Sequence, residues 1–93
     1  MHLDELQDVI GRTYGERDAQ RGIPATIAWL TEELGELAQA VRKGTAEQQR
    51  HELGDVLAWV ASLAHQLDLS MSSAVERYAE GCPRCGALPC ACP

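Results

Sequence analysis

Apolar residues recur every three or four positions along most of the chain, and this spacing limits the fold more than any other feature of the sequence. It places the apolar side chains on one face of an α-helix. A β-strand would need apolar and polar residues to alternate with a period of two, and no such stretch is present. The sequence therefore predicts an all-α fold, a small helical bundle of about four helices.

Residues typical of helix ends divide this pattern at both ends of the chain. The first predicted helix ends near Gly15, because glycine commonly terminates a helix. The polar, glycine-bounded segment 15–24 is expected to be a loop or a broken helical turn. Serines in "DLSMSS" at 68–73 suit a helix N-terminus and predict a shorter fourth helix that reaches about Glu80.

Two longer central helices are predicted between these segments. Pro24 suits the first turn of the second helix, where its missing N–H has no partner in any case. Gly44 is the expected end of that helix, and Thr45 with Gln48 forms a capping box for the third. Because the link "KGT" is short, the two helices are expected to pack antiparallel.

Composition limits the size of the core. The 93 residues are 45% apolar, but they include no Phe and only two Trp and two Tyr. A chain of this length forms one small core, which we place in a helical domain at 1–80, followed by a Cys-rich tail at 81–93. We expect a homodimer or a dimer of dimers, since symmetric pairing is a common way to bury the remaining apolar surface.

Charge and hydropathy exclude several partners. The formal net charge of −6 argues against binding to a DNA or RNA duplex, which requires a basic face. The negative charge does not exclude phosphate ligands, because a bound divalent cation reverses the local charge. No apolar run approaches the roughly 20 residues of a membrane span, and no leader pattern begins the chain. We therefore expect no membrane partner and a cytoplasmic protein.

The central helices contain a duplicated acidic motif. "EELGELAQAV" at 32–41 is followed by "HELGDVLAWV" at 51–60, with glycine at the same place in each. In both helices two acids one turn apart lie on the same flank of the apolar face, whereas Glu32 lies on the far side and is expected to be solvated. In an antiparallel pair the four flanking acids can converge: Glu33, Glu36, Glu52 and Asp55.

Four converging carboxylates repel one another, and a hard divalent cation, Mg²⁺ or Mn²⁺, would compensate them. The alternative is a solvated helix flank whose acids pair with Arg42, Lys43 or Arg50. Duplication of the acids on matching flanks favours the metal site. Helical glycines such as Gly35 and Gly54 are also costly, and they suggest a close approach. The same three basic residues are the nearest candidates to contact phosphate groups.

This pattern, E-x-x-E and E-x-x-D separated by fifteen residues, resembles the all-α nucleoside triphosphate pyrophosphohydrolases of the MazG type from Trp29 to Tyr78. The resemblance implies Mg²⁺-dependent hydrolysis of a (d)NTP to (d)NMP and pyrophosphate. It also implies that the four flanking acids are the catalytic Mg²⁺ ligands. His65 departs from the family, which often has Asn there. The alternatives are a non-catalytic helical dimerisation module with a zinc-binding tail, or a nucleotide sensor.

Other residues allow two interpretations each. His51 adjoins Glu52, but a surface role is the simpler expectation. Trp29 and Trp59 flank the acidic motifs and suit either base stacking or packing in a small core or dimer interface. Tyr14 is equally undecided.

All four cysteines lie near the C-terminus, in the pattern C-x-x-C, four residues, C-x-C. Relatives of the MazG type tend to have a similar Cys-rich end. Four thiolates suit a tetrahedral structural zinc site, and clustering in a reducing compartment favours metal over disulfides. Disulfides, free thiols and an iron–sulfur cluster are the alternatives. The four candidate ligands are Cys82, Cys85, Cys90 and Cys92.

Overall fold

Three long helices form the body of the protein in the computed structural model, which describes residues 1–93. They are α1 (Leu3–Arg21), α2 (Ile23–Lys43) and α3 (Ala46–Gln66), followed by a short α4 (Met71–Val75) and a 3₁₀ turn (Glu76–Tyr78). Helix α3 packs against both α2 and α1, and α4 contacts α1. No strand is present, so the predicted all-α fold is confirmed.

The ends of the central helices follow the local sequence. Pro24 lies in the first turn of α2, and the Gly44 N–H ends this helix by donating to the Ala40 carbonyl at 2.8 Å. Thr45 and Gln48 form the predicted capping box, in which the Thr45 hydroxyl accepts from Gln48 N at 3.1 Å and Thr45 N donates to the Gln48 side chain at 2.8 Å. Two residues therefore turn the chain from α2 into α3.

The prediction that the first helix ends near Gly15 is wrong. Helix α1 continues to Arg21 and ends at Gly22, whose φ of 90° favours glycine. A Cβ placed on Gly15 would lie 3.3 Å from Nε2 of His65, so this glycine makes room for a side chain of α3. The segment 15–24 is thus mostly helical, and the bundle has three long helices instead of two.

The fourth helix is also shorter than predicted. Ser70 caps it as expected, its hydroxyl accepting from Ser73 N at 3.1 Å, but the α-helix ends at Val75 and not near Glu80. Beyond the 3₁₀ turn the chain has only turns and bends. None of the helices is long and apolar enough to span a membrane. The boundary at residue 80 between a domain and a tail stays a prediction.

The core is small, and it is not centred where the apolar spacing of α2 places it. Only 6 of 93 residues are buried. On α2 the buried residues are Thr26 and Ala40, whereas Leu34 is 51% exposed and Val41 is 63% exposed. Contact with α3 is therefore shifted toward the acidic flank, and part of the apolar face of α2 remains uncovered.

Candidate functional site

Helices α2 and α3 bring the duplicated acids together. Carboxylate oxygens of Glu33, Glu36 and Glu52 lie within 4.8 Å of one another, and Asp55 forms a group of the same size with Glu52 and His51. We call the four acids the carboxylate cluster: Glu33, Glu36, Glu52 and Asp55. Glu32 is exposed and lies outside it, as expected.

The carboxylate cluster lacks compensating positive charge. No Lys or Arg nitrogen lies within 4.0 Å of the oxygens of these acids. Their one contact with a basic side chain joins His51 Nε2 to an Asp55 oxygen at 3.4 Å. The pairing with Arg42, Lys43 or Arg50 that a solvated flank would use is therefore not formed.

Burial and mutual repulsion both affect these carboxyl groups. Oε2 of Glu33 and Oε2 of Glu52 are buried and have no hydrogen-bond partner. Desolvation, followed by the charges of Glu36, Asp55 and Glu52, raises the pKa of Glu33. Desolvation and the charge of Glu36 likewise raise the pKa of Glu52, although His51 opposes the shift. An all-oxygen donor set with unsatisfied buried oxygens suits a hard divalent cation.

The glycines of the duplicated motif do not serve the close approach predicted for them. A Cβ placed on Gly35 or on Gly54 would meet no atom of the chain within 4 Å. Within one chain, neither glycine is required by packing. The structure therefore brings acids of the two copies of the motif together, whereas contacts within this chain do not explain the glycines.

A pocket of about 250 Å³ opens beside Asp55, between α1 and α3. It combines two arginines, two aromatic rings and two carboxylates. We call it the arginine pocket; its lining residues are Tyr14, Arg17, Asp18, Arg21, Asp55, Ala58, Trp59 and Ser62.

The arginine pocket contains a nearly buried ion pair. Asp18 is 1% exposed, and its Oδ1 accepts a hydrogen bond from Nη1 of Arg21 at 2.7 Å. The guanidinium of Arg21 also lies 4.8 Å from the ring centroid of Trp59, within the range of a cation–π contact. The other carboxylate oxygen of Asp18, Oδ2, is buried without a hydrogen-bond partner.

These α1 residues were not predicted as part of a site, because the segment 15–24 was expected to lie outside a regular helix. A signal was present: Asp18 and Arg21 are three residues apart within 16–21, a stretch without Gly or Pro, and this spacing stabilises a helix. Recognising that pair would have extended α1 and placed Arg17 one helical turn before Arg21.

A second opening lies at the other end of the carboxylate cluster, near the link between α2 and α3. It measures about 510 Å³ and is mostly polar, with Lys43 as its basic residue. Arg42 and Arg50, the other predicted phosphate contacts, do not line it. We call it the lysine cleft; its lining residues are Glu36, Gln39, Ala40, Lys43, Gly44, Gln48 and Glu52.

The aromatic and histidine residues have specific contacts. Trp29 and Trp59 stack on each other, with ring centroids 6.0 Å apart and planes 10° from parallel. Trp59 and Tyr14 also line the arginine pocket. His51 is exposed but contacts Asp55, and His65 packs against α1 glycines, away from the carboxylate cluster.

Fold and site together define an all-α protein in which acidic side chains from two neighbouring helices share one site. The sequence model of a protein family, the MazG nucleotide pyrophosphohydrolase domain, matches residues 21–84, so the chain belongs to this family. The predicted family resemblance is thereby confirmed.

Two relatives are similar over most of their length. Gene 37 protein of Mycobacterium phage L5 is 33% identical, with 83% of this chain and 82% of the relative covered. Uncharacterized protein YpjD of Bacillus subtilis (strain 168) is 41% identical, with 81% of this chain and 78% of the relative covered.

Proposed function

We propose that the protein is a nucleoside triphosphate pyrophosphohydrolase that converts a (d)NTP to a (d)NMP and pyrophosphate. The observation that carries this proposal is that Glu33, Glu36 and Glu52 converge, with Asp55 beside Glu52 and no Lys or Arg partner. These acids border two solvent-accessible openings. Membership of the MazG family supports the same reaction.

The carboxylate cluster would hold Mg²⁺ or Mn²⁺ through Glu33, Glu36, Glu52 and Asp55. Both ions prefer oxygen ligands, and the two unpartnered carboxylate oxygens are ligands of that kind. A divalent cation bound there would offset the negative charge of phosphate oxygens and make phosphorus more susceptible to attack. Without such a cation, four acids would repel a triphosphate.

The two openings suggest how the substrate lies across the cluster. The arginine pocket offers the aromatic rings of Tyr14 and Trp59, which suit a nucleobase. The lysine cleft is polar, and Lys43 suits the far phosphates. We place the nucleoside in the pocket, the α phosphate over the carboxylates and the β and γ phosphates toward Lys43.

Hydrolysis in this arrangement needs a base and a leaving group. A water attacks the α phosphorus, the bond from that phosphorus to the α–β bridging oxygen breaks, and pyrophosphate leaves with the bonding electron pair. A carboxylate accepts the proton of the water. Glu36 is the candidate for this role, because it is exposed and borders the lysine cleft.

The uncovered apolar face supports assembly with a second copy of the chain. Large apolar side chains of α2 and α3 remain between 42% and 63% exposed, which is costly for so small a core. A homodimer or a dimer of dimers would bury them. We call them the apolar face: Ile27, Leu34, Val41, Leu53 and Leu57.

The decisive experiment is incubation of the purified chain with a panel of NTPs and dNTPs and Mg²⁺, with separation of the products. We expect monophosphate and pyrophosphate, and not diphosphate and phosphate. Glu33→Gln and Asp55→Asn should each reduce the rate by at least about 100-fold, because each removes a negative oxygen ligand from the site. Removal of Mg²⁺ with EDTA should abolish hydrolysis.

Glu32→Gln is the matched control, since it makes the same change at an exposed neighbour outside the carboxylate cluster. It should keep the wild-type rate. The proposal fails if no nucleotide releases pyrophosphate, or if Glu33→Gln and Glu32→Gln have equal rates. Tight nucleotide binding without turnover would instead indicate a sensor.

A further inference from the structure

The C-terminal segment carries a second group of metal-ligand side chains, away from the carboxylates. Its four cysteine sulfurs all lie within 4.8 Å of one another. None of them is paired in a disulfide. We call this group the cysteine cluster: Cys82, Cys85, Cys90 and Cys92.

Sulfur separations in the cysteine cluster match a tetrahedral metal site. Cys82 and Cys92 sulfurs are 3.7 Å apart, and Cys85 and Cys90 sulfurs are 4.0 Å apart. A Zn–S distance of about 2.3 Å places the sulfurs of a tetrahedron about 3.8 Å apart. A single ion can therefore contact all four sulfurs with little movement.

The backbone holds this arrangement. Residues 82–87 form a tight turn that contains the first two cysteines. In this turn Gly86 N donates to the Cys82 carbonyl at 2.7 Å, and Cys82 N donates to the Ala87 carbonyl at 3.0 Å. Gly86 has a φ of 74°, a conformation that other residues rarely adopt. The turn is thus formed by the backbone and does not depend on side-chain packing.

Backbone amides also point at the sulfurs. Ala91 N donates to Sγ of Cys85 at 3.3 Å, and Cys92 N donates to Sγ of Cys90 at 3.4 Å. Such bonds stabilise thiolates, and four thiolates this close together would repel one another without a cation.

Little else stabilises this segment. No residue from 63 to 93 is fully buried, and Leu88 is 83% exposed. A segment without a core commonly acquires its fold from a bound metal.

We propose that the cysteine cluster is a structural zinc site, in which one Zn²⁺ is bound by the thiolates of Cys82, Cys85, Cys90 and Cys92. The remaining thiol protons pass to solvent when the ion binds. A donor set of four sulfurs without oxygen or imidazole suits zinc and excludes Mg²⁺. The site closes the last residues of the chain into one loop structure and is independent of the proposed hydrolysis.

The test is metal analysis of the full chain, purified without a histidine tag under reducing conditions and supplied with zinc. We expect zinc in a one-to-one ratio to protein. When Co²⁺ replaces Zn²⁺, the absorption spectrum should show the thiolate-to-cobalt charge-transfer band and the intense visible bands of a tetrahedral site with four sulfur ligands. Cys85→Ser and Cys90→Ser should lose most of the zinc and keep the helical circular dichroism signal.

Two controls separate zinc binding by the cysteines from zinc binding elsewhere on the chain. Ala91→Ser introduces a hydroxyl into the same loop without removing a ligand and should retain zinc. Glu33→Gln should also retain it, because the carboxylate cluster is a different site. The proposal is overturned if the wild-type chain binds no zinc, if Cys85→Ser keeps the full amount, if iron occupies the site, or if mass spectrometry finds the cysteines joined as disulfides.

Discussion

The imidazole of His65 occupies the space that a side chain at Gly11 would need: a Cβ placed on Gly11 would lie 2.7 Å from Nδ1 of His65. Gly11 and Gly15 are one turn apart on α1, and both face this ring. The two glycines therefore let α1 and α3 approach at the cost of helix propensity.

A double-mutant cycle tests this contact. Gly11→Ala should gain about 0.5–1 kcal/mol of helix propensity in a His65→Ala background. With His65 present, that gain should be offset by a coupling of at least about 0.5 kcal/mol. Urea unfolding followed by circular dichroism measures all four proteins. Gly35→Ala, which meets no atom within 4 Å, is the control that should be stabilised in either background. Equal effects of Gly11→Ala in both backgrounds would contradict the contact.

This contact also shows where prediction from sequence stops. The central helices were predicted well because their signals are local: Pro24, Gly44 and the Thr45–Gln48 pair all act within one turn of a helix end. Gly15 resembled a helix end for the same local reason, yet its role depends on a ring fifty residues later in the chain.

The candidate site divides in the same way. That acids of α2 and α3 lie close together could be predicted because the motif is duplicated on matching helix flanks. The arginine pocket could not, since it needs α1 to continue past Gly15 and to lie against α3. The sequence also predicts the wrong face of α2 for contact with α3. Apolar spacing shows which side chains avoid water, but it does not distinguish burial against α3 from burial against a second copy of the chain.

Breaking the ion pair of Asp18 with Arg21 should cost far more stability than breaking the pair of Asp8 with Arg12. Their side chains are 2% and 22% exposed in the first pair, against 65% and 72% in the second. Arg21→Met leaves a buried carboxylate without its partner and should cost about 3 kcal/mol. Arg12→Met should cost less than about 1 kcal/mol.

Thermal and urea unfolding of the two variants measure this difference. Asp18→Asn combined with Arg21→Met should recover part of the loss, because the amide carries no charge that needs a partner. Equal losses for Arg21→Met and Arg12→Met would show that the Asp18 pair is as solvated as the surface pair.

The contribution of Glu33 to the stability of the metal-free protein should rise as pH falls toward the ordinary glutamate pKa of 4.5. Desolvation and the neighbouring acids raise the pKa of Glu33 in the folded chain, so folding favours its protonated form. The resulting stabilisation is complete below pH 4.5 and is lost as pH rises through the higher folded pKa. In EDTA at pH 7.5, Glu33→Gln should therefore unfold at a higher temperature than wild type, and the difference should shrink on acidification.

Magnesium should reverse this order at neutral pH. A cation that binds only the folded chain stabilises it by mass action, so Mg²⁺ should raise the unfolding temperature of wild type more than that of Glu33→Gln. Glu32→Gln should follow wild type under every condition. A wild-type protein that loses stability relative to Glu33→Gln when the pH falls from 7.5 to 5 in EDTA would contradict the pKa shift.

The apolar face should control the oligomeric state. Val41 is 63% exposed in the single chain, so Val41→Glu should leave the helices intact while placing a charge where a second copy would bury it. We expect light scattering to find a dimer or tetramer for wild type and a shift toward monomer for Val41→Glu and Leu34→Glu. Leu69→Glu is the control, because Leu69 is similarly exposed, at 57%, but lies outside the apolar face. A monomeric wild type, or an equal response to Val41→Glu and Leu69→Glu, would show that the apolar face does not meet a second copy.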